Sequence, residues 1–247
     1  MTDRTTDSAV ANSSTIMGLF AKSWDPGTVK TRLAKTLGND RAAEIFLELL
    51  TLNLGRFAQS ADRRVIGYSP PGEATLKRFE SLVGDIKPRP AWNFAPQSDG
   101  DLGTRMSTFF RQQFEIHGAG SRVVLIGSDA LQLMPRHIDQ AFELLNDHDV
   151  VFGPSTDGGY YLVGMSVMND RIFQDVAWSM ETVLEQSLER CESSGSSVAQ
   201  LEPLTDIDNE TDLLQEMKPL KNAADEDEIW RQRFLENVNR ILERPAS

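Results

Sequence analysis

Cysteine and histidine are nearly missing from this chain of 247 residues: it carries Cys191 alone and three histidines, His117, His137 and His148. One thiol cannot form an internal disulfide, so a reducing compartment is expected, with the cytoplasm the natural one. Scattered histidines exclude a zinc cluster and a histidine-based triad. Cys191 falls inside a predicted helix and reads as buried filler. No run of 18 apolar residues occurs, which excludes a transmembrane helix. Residues 1–14 are polar and lack an apolar stretch, so they read as a disordered leader and not as a signal peptide. Two nucleotide signatures are also missing. A Walker A loop needs Gly before its Lys, and Val29 stands before Lys30; no G-x-G-x-x-G follows a strand.

Positive charge is the scarce sign. Lys and Arg number 25 against 37 Asp and Glu, for a formal net charge of -12. Such a surface repels nucleic acid and anionic lipid, so no nucleic-acid partner is expected. It repels free phosphates too, and a phosphate ligand would need a metal ion or a local basic cluster.

What is present is a core-forming composition, 40% hydrophobic, and a regular alternation of patterns. Short apolar runs predict strands at 16–21, 64–68, 92–95, 123–126, 149–152, 160–163 and 198–201. Apolar spacing at the helical period predicts helices over 29–57 (broken near Gly38-Asn39-Asp40), 73–82, 102–114, 135–145, 181–192 and 210–217. Strands alternating with helices predict an α/β fold, a mostly parallel mixed sheet flanked by helices, with ligands at the carboxyl ends of the strands. The expected organisation is the leader, one domain over 15–220, and a helical extension over 221–247. In that extension Ile229, Trp230, Phe234, Val238, Ile241 and Leu242 fall near one helix face. That face predicts packing on the domain or a homodimer contact.

Five segments carry candidate chemistry. Lys22-Ser-Trp-Asp-Pro-Gly-Thr-Val-Lys-Thr-Arg-Leu33 follows the first strand: a Gly turn lets backbone approach a phosphate, and Lys30 and Arg32 add charge; the plainer alternative is a surface loop with ordinary lysines. Gln97 to Met106 holds Gly100 and Gly103, and Gln97 offers both donor and acceptor, as base recognition requires. In the plainer alternative, Asp101 caps a helix. Asp129 ends the strand 123–126, where a carboxylate needs a pairing partner or a metal; otherwise it caps a turn. Gly153-Pro-Ser-Thr-Asp-Gly-Gly-Tyr-Tyr161 could surround a ligand or be an ordinary Asp-Gly hairpin. In 205–213, Asp206 and Asp208 would share one side of an extended segment and approach one cation; the alternative is capping of a short helix.

In this order, Pro-Gly-x-Val-Lys-Thr-Arg-Leu, Gly-Asp-Leu-Gly-x-Arg-Met, Ile-Gly-Ser-Asp, Asp-Gly-Gly-Tyr-Tyr-Leu and Asp-Ile-Asp resemble one family. It is the bacterial GT-A-type nucleotide-diphospho-sugar transferases related to the 2-phospholactate and molybdopterin guanylyltransferases. The resemblance spans about Ile16 to Leu214 and implies roles. Lys22, Gly27, Lys30, Thr31 and Arg32 would hold phosphates, and Gln97, Gly100, Asp101 and Gly103 the rest of the nucleotide. Asp129 and Asp208, with Asp206, would bind Mg²⁺ or Mn²⁺. Asp157, Gly158, Gly159, Tyr160 and Trp178 would line the acceptor or sugar pocket. Lys30, Arg32 and Asp157 are the candidate catalytic residues. The family usually carries Asp-Ser-Pro where this chain has Asp129-Ala130-Leu131. The implied activity is metal-dependent transfer from a nucleotide or nucleotide-sugar donor to a small-molecule acceptor, with glycosyl transfer favoured. The alternatives are nucleotidyl transfer to a phosphorylated acceptor, and a non-catalytic nucleotide-binding protein.

Overall fold

A computed structural model describes residues 14–220 and 228–244. The expected leader lies outside the described residues apart from Ser14, as does the start of the extension.

Seven strands form one sheet: β1 (Thr15–Lys22), β2 (Arg63–Ser69), β3 (Asn93–Pro96), β4 (Arg122–Ile126), β5 (Val150–Pro154), β6 (Tyr160–Met165) and β7 (Val198–Gln200), in the order β3-β2-β1-β4-β6-β5-β7. All neighbouring pairs are parallel except those of β6, which runs antiparallel to both β4 and β5. The sheet is therefore mixed and mostly parallel, as the patterning implied. β6 is reversed because the Asp157-Gly158 turn closes a hairpin onto β5.

The helices are α1 (Ala34–Leu37), α2 (Asn39–Arg56), α3 (Glu73–Asp85), α4 (Leu102–His117), α5 (Pro135–Leu144), α6 (Val183–Ser194), α7 (Glu210–Leu220) and α8 (Glu228–Glu243), with a 3-10 turn at Asp170–Phe173. Alternation along β1 assigns them to faces. Met17, Leu19 and Ala21 pack with Phe46, Leu50 and Leu54 of α2 and with α3 and α5. Ile16 points the other way, onto Met106, Phe109 and Phe110 of α4 and Cys191 of α6. Helices on both faces explain why β4 and β5 are apolar in continuous runs. A third apolar layer lies outside α2: Ile45, Leu49 and Leu52 meet Leu213 and Met217 of α7 and Phe234, Val238 and Ile241 of α8. The described part of the extension, α8, thus packs on its own domain.

Two expectations need correction. The helix expected from Val29 does not start there. Val29 lies in a bend, residues 31–33 form a turn, and Lys30 between them has φ 47, a left-handed conformation that no right-handed helix can continue through. Ile229, expected on the packed face of the last helix, is 78% exposed; it lies in the first turn, just before Trp230 reaches the domain. Among the described residues no helix is long and apolar enough to cross a membrane.

Candidate functional site

The parallel strands β1 and β4 are neighbours, and their carboxyl ends open on one side of the sheet. A cavity of about 420 Å³ lies there. It is lined by Phe20, Ala21 and Lys22 at the end of β1, by Gly127, Ser128 and Asp129 beyond β4, and by Thr28 to Arg32 of the loop after β1. Gln97 beyond β3, Leu102 and Arg105 of α4, Phe46 of α2 and Asp208 complete the wall. Four cations (Lys22, Lys30, Arg32, Arg105) and two carboxylates (Asp129, Asp208) share this space. In a chain of net charge -12 this is the local basic cluster that phosphate binding would require.

The loop after β1 is braced from two directions. The Arg78 guanidinium on α3 donates to Ser23 Oγ and to Asp25 Oδ1, both at 2.6 Å, and lies 4.5 Å from the Trp24 ring centroid. Thr28 donates to the Asp25 carbonyl from both its amide and its hydroxyl, at 3.0 and 2.7 Å. Gly27 turns the chain at φ 82, which a side chain would resist. Beyond the turn, Lys30 Nζ donates to Asp129 Oδ2 at 2.8 Å and to the Ile207 carbonyl at 2.6 Å. Its side chain is only 6% exposed, and its backbone is left-handed at φ 47. Arg32 pairs with Asp208. Asp129, expected to need either a pairing partner or a metal, has its partner in Lys30. Burial works against ionisation of Asp129, but the Lys30 ammonium outweighs it and holds the carboxyl below its ordinary range.

The segment carrying Asp129 is held from beneath by α2. Asn53 donates its side-chain amide to the Ser128 carbonyl at 3.0 Å, and one nitrogen of Arg56 donates to the carbonyls of Leu131 and Leu133, each at 2.8 Å. Ala130 and Leu131, the departure from the usual family residues, are buried in the core. The chain there is fixed by packing as well as by hydrogen bonds.

Most of the other sequence candidates lie outside the wall of this cavity. Gln97 lines it, with one amide donor committed to the Gly67 carbonyl at 2.7 Å. Asp101 caps α4, its carboxylate accepting from the Thr104 amide at 2.8 Å. Gly103 is a packing glycine: a Cβ there would come within 2.7 Å of the Phe173 carbonyl and 2.6 Å of the Trp178 ring. Gly27, Gly100, Asp101 and Gly103 are not in the cavity wall, and neither are Asp157, Gly158, Gly159, Tyr160 and Trp178. Asp157 Oδ1 accepts from the Gly159 amide at 3.0 Å within its own turn. Tyr160 packs on Phe152, and burial pushes its phenol up from its ordinary range.

Asp206 and Asp208 do not face the same space. The buried Ile207 lies between them; Asp208 reaches the cavity, whereas Asp206 is turned inward and accepts from Ser155 Oγ at 2.8 Å. Burial and the nearby charge of Asp129 push the Asp206 carboxyl up to about 7, and its Oδ1 is buried without a hydrogen-bond partner. Among the described residues no group of three or more His, Cys, Asp or Glu side chains is placed to hold an ion. Asp129 and Asp208 do fit a hard divalent ion of the Mg²⁺ type, which commonly takes one or two protein carboxylates and completes its shell with substrate phosphates and water.

Residue-by-residue reading of the sequence missed Thr28, Arg105, Ser128, Asn53 and Arg56. Arg105 carried a usable signal: it lies one helical turn beyond Leu102, on the same face of α4.

The family model described as an uncharacterized protein conserved in bacteria (DUF2064) matches residues 55–180. That span includes Asp129 and Arg105; it leaves the Lys22 to Arg32 loop and Asp208 outside. A crystal structure from Desulfovibrio desulfuricans G20, provisionally assigned as a nucleotide-diphospho-sugar transferase, is similar at a TM-score of 0.80 with 27% identity, covering 93% of this chain and 98% of that one. A nucleotidyl transferase from Methanothermobacter shares the fold at a TM-score of 0.53 and 13% identity, covering 90% of this chain and 98% of that one. A 4-diphosphocytidyl-2C-methyl-D-erythritol synthase from Anaerococcus prevotii DSM 20548 does so at 0.54 and 6% identity, covering 85% of this chain and 99% of that one. No curated protein matches the sequence.

Proposed function

The chain belongs to the DUF2064 family of bacterial proteins, and from that premise we propose that it is a metal-assisted transferase whose donor is a nucleoside phosphate held in the crevice between β1 and β4. The observation that carries this reading is the gathering of Lys22, Lys30, Arg32 and Arg105 with Asp129 and Asp208 in one cavity. No simple anion site needs the two carboxylates, and no simple cation site needs the four bases. A polyphosphate bridged to a divalent ion uses both.

The roles follow from position. Lys22, Thr31, Arg32 and Arg105 bind and orient the phosphate oxygens, and Leu102 with Gln97 offers an apolar and hydrogen-bonding wall for the base. Asp129 and Asp208 would hold Mg²⁺ or Mn²⁺, which when bound neutralises charge on the phosphate leaving group. Positioning supplies most of the rate in such transfers.

Glycosyl transfer from a nucleotide sugar is the favoured form, in keeping with the provisional assignment of the Desulfovibrio relative. A specific observation supports nucleotidyl transfer as the second form. Asp157, the expected acceptor-side base, is hydrogen-bonded within its own turn, and a phosphate acceptor needs no protein base. The deciding experiment incubates nucleoside triphosphates and nucleotide sugars with free and phosphorylated acceptors, with and without Mn²⁺. Acceptor-dependent release of a nucleoside diphosphate marks glycosyl transfer, and release of pyrophosphate marks nucleotidyl transfer. Metal-dependent binding without turnover marks a non-catalytic nucleotide-binding protein.

A further inference from the structure

Lys30 is the residue whose placement the transferase reading leaves unexplained. A phosphate-gripping lysine is normally a solvated charge on a flexible stem. Here the ammonium is buried, at 6% side-chain exposure, and it donates to two protein oxygens: Asp129 Oδ2 at 2.8 Å and the Ile207 carbonyl at 2.6 Å. The residue also carries a backbone φ of 47, a left-handed conformation that residues other than glycine adopt only when their surroundings impose it. Beside it Arg32 makes the same kind of contact with Asp208. The two carboxylates that face the cavity are thus each covered by a cation from one short loop, residues 30–32, braced at its base by Arg78.

Resting on the nucleoside-phosphate reading above, we propose that Lys30 and Arg32 are internal counter-ions that occupy the metal ligands of the free protein, and that polyphosphate draws them off so that metal and phosphate bind together. The chemistry is an exchange of partners. A divalent ion arriving alone must compete with Lys30 for Asp129 and with Arg32 for Asp208. A displaced ammonium left without an acceptor in a low-dielectric site is strongly disfavoured. A polyphosphate supplies that acceptor: Lys30 and Arg32 move to phosphate oxygens, and the released carboxylates, with the Ile207 carbonyl beside them, become free for the ion. No bond is made or broken; charge is re-paired. The linkage is reciprocal, so each ligand raises the affinity of the other. The arrangement also gives selectivity, because a monovalent anion brings no second cation to satisfy Asp129 and Asp208 once their partners leave.

The test titrates Mn²⁺ into the full chain and reads bound metal by electron paramagnetic resonance, with no turnover involved. The samples are wild type, Lys30→Met and Arg32→Gln, each with and without inorganic pyrophosphate, and free Mn²⁺ is corrected for the soluble complex. Expected are weak Mn²⁺ binding by the wild type alone, a gain of tenfold or more with pyrophosphate, and tighter binding of Mn²⁺ alone by Lys30→Met with the pyrophosphate gain largely lost. Arg32 is 66% exposed, so its variant folds even if removal of the buried lysine does not allow folding, and it should shift in the same direction by a smaller factor. Mn²⁺ binding by wild type and variants that is equal and indifferent to pyrophosphate overturns the counter-ion proposal while leaving a metal site in place. Absence of Mn²⁺ binding in all samples, with pyrophosphate present, overturns both the proposal and the metal-assisted reading.

Discussion

The side-chain amide of Asn53 on α2 donates to the carbonyl of Ser128 at 3.0 Å, one residue before Asp129. The bond joins the core helix to the residue pair that closes the cavity, and Asn53 is fully buried.

Replacing Asn53 by Ala leaves the Ser128 carbonyl without its partner in the interior. A lost buried hydrogen bond of this kind costs about 1–3 kcal/mol, and the loss should appear as a lower urea midpoint at unchanged slope. Because the carbonyl belongs to the segment that positions Asp129, metal-dependent nucleotide affinity should fall as well. An unchanged midpoint would show that water replaces the amide without penalty.

Arg78 acts on the cavity from outside it. Its contacts with Ser23 and Asp25 and its position over Trp24 fix the base of the loop that carries Lys30 and Arg32. Arg78→Ala should weaken nucleotide binding several-fold while changing global stability little, since exposed ion pairs contribute roughly 0–1 kcal/mol. Calorimetric affinity and thermal melting on the same sample separate the two effects. A large drop in melting temperature with unchanged affinity would assign Arg78 a purely structural role.

Gly158 has φ 88, and a Cβ there would lie 1.9 Å from the Glu181 carbonyl oxygen. Gly158→Ala therefore combines a left-handed penalty with a backbone clash, together about 2–4 kcal/mol. The first glycine of Asp157-Gly-Gly serves the close approach of the segment before α6. Denaturant melts check the magnitude, and a loss below about 1 kcal/mol would mean that the turn yields easily.

His137 predicts how stability depends on pH. The ring is buried, its Nδ1 accepts from the Met134 amide at 2.9 Å, and its Nε2 lies 2.7 Å from Glu202. Burial outweighs the Glu202 carboxylate and lowers the His137 pKa. The unfolded chain thus takes up this proton near pH 6.5 and the folded chain only at lower pH. Stability from this group is complete above about 6.5 and declines as pH falls below it. The Glu202 carboxyl, held below its ordinary range chiefly by the hydrogen bond from His137, adds a second loss at more acidic pH. Chemical denaturation at pH 7.5 and 5.5 should show the first decline in wild type and a flatter response in His137→Gln. Equal slopes would contradict the assignment.

The sheet was legible because burial on two faces writes continuous apolar runs at β4 and β5, and the Asp157-Gly158 turn announced the hairpin. The cavity was legible where charge followed a strand, at Lys22, Lys30, Arg32 and Asp129. Three things were hidden. Pairing of Lys30 with Asp129 joins residues 99 apart and leaves no local pattern. The left-handed Lys30 backbone, which propensity cannot register, breaks the helical reading of 29–33. Asn53 and Arg56 look like ordinary polar positions of an amphipathic helix until the Ser128 to Leu133 segment folds over them.

The central claim is that the crevice between β1 and β4 binds a nucleoside phosphate together with a divalent ion. Its most direct test is calorimetry of the wild-type chain with a panel of nucleoside diphosphates and triphosphates, with and without Mn²⁺, repeated on Asp208→Asn. Asp208 is accessible, with its side chain 38% exposed, so the substitution leaves the fold standing. The account predicts binding that needs Mn²⁺ and weakens at least tenfold in Asp208→Asn. Failure of every nucleotide to bind the folded protein with Mn²⁺ present, or full affinity without any metal, would contradict it.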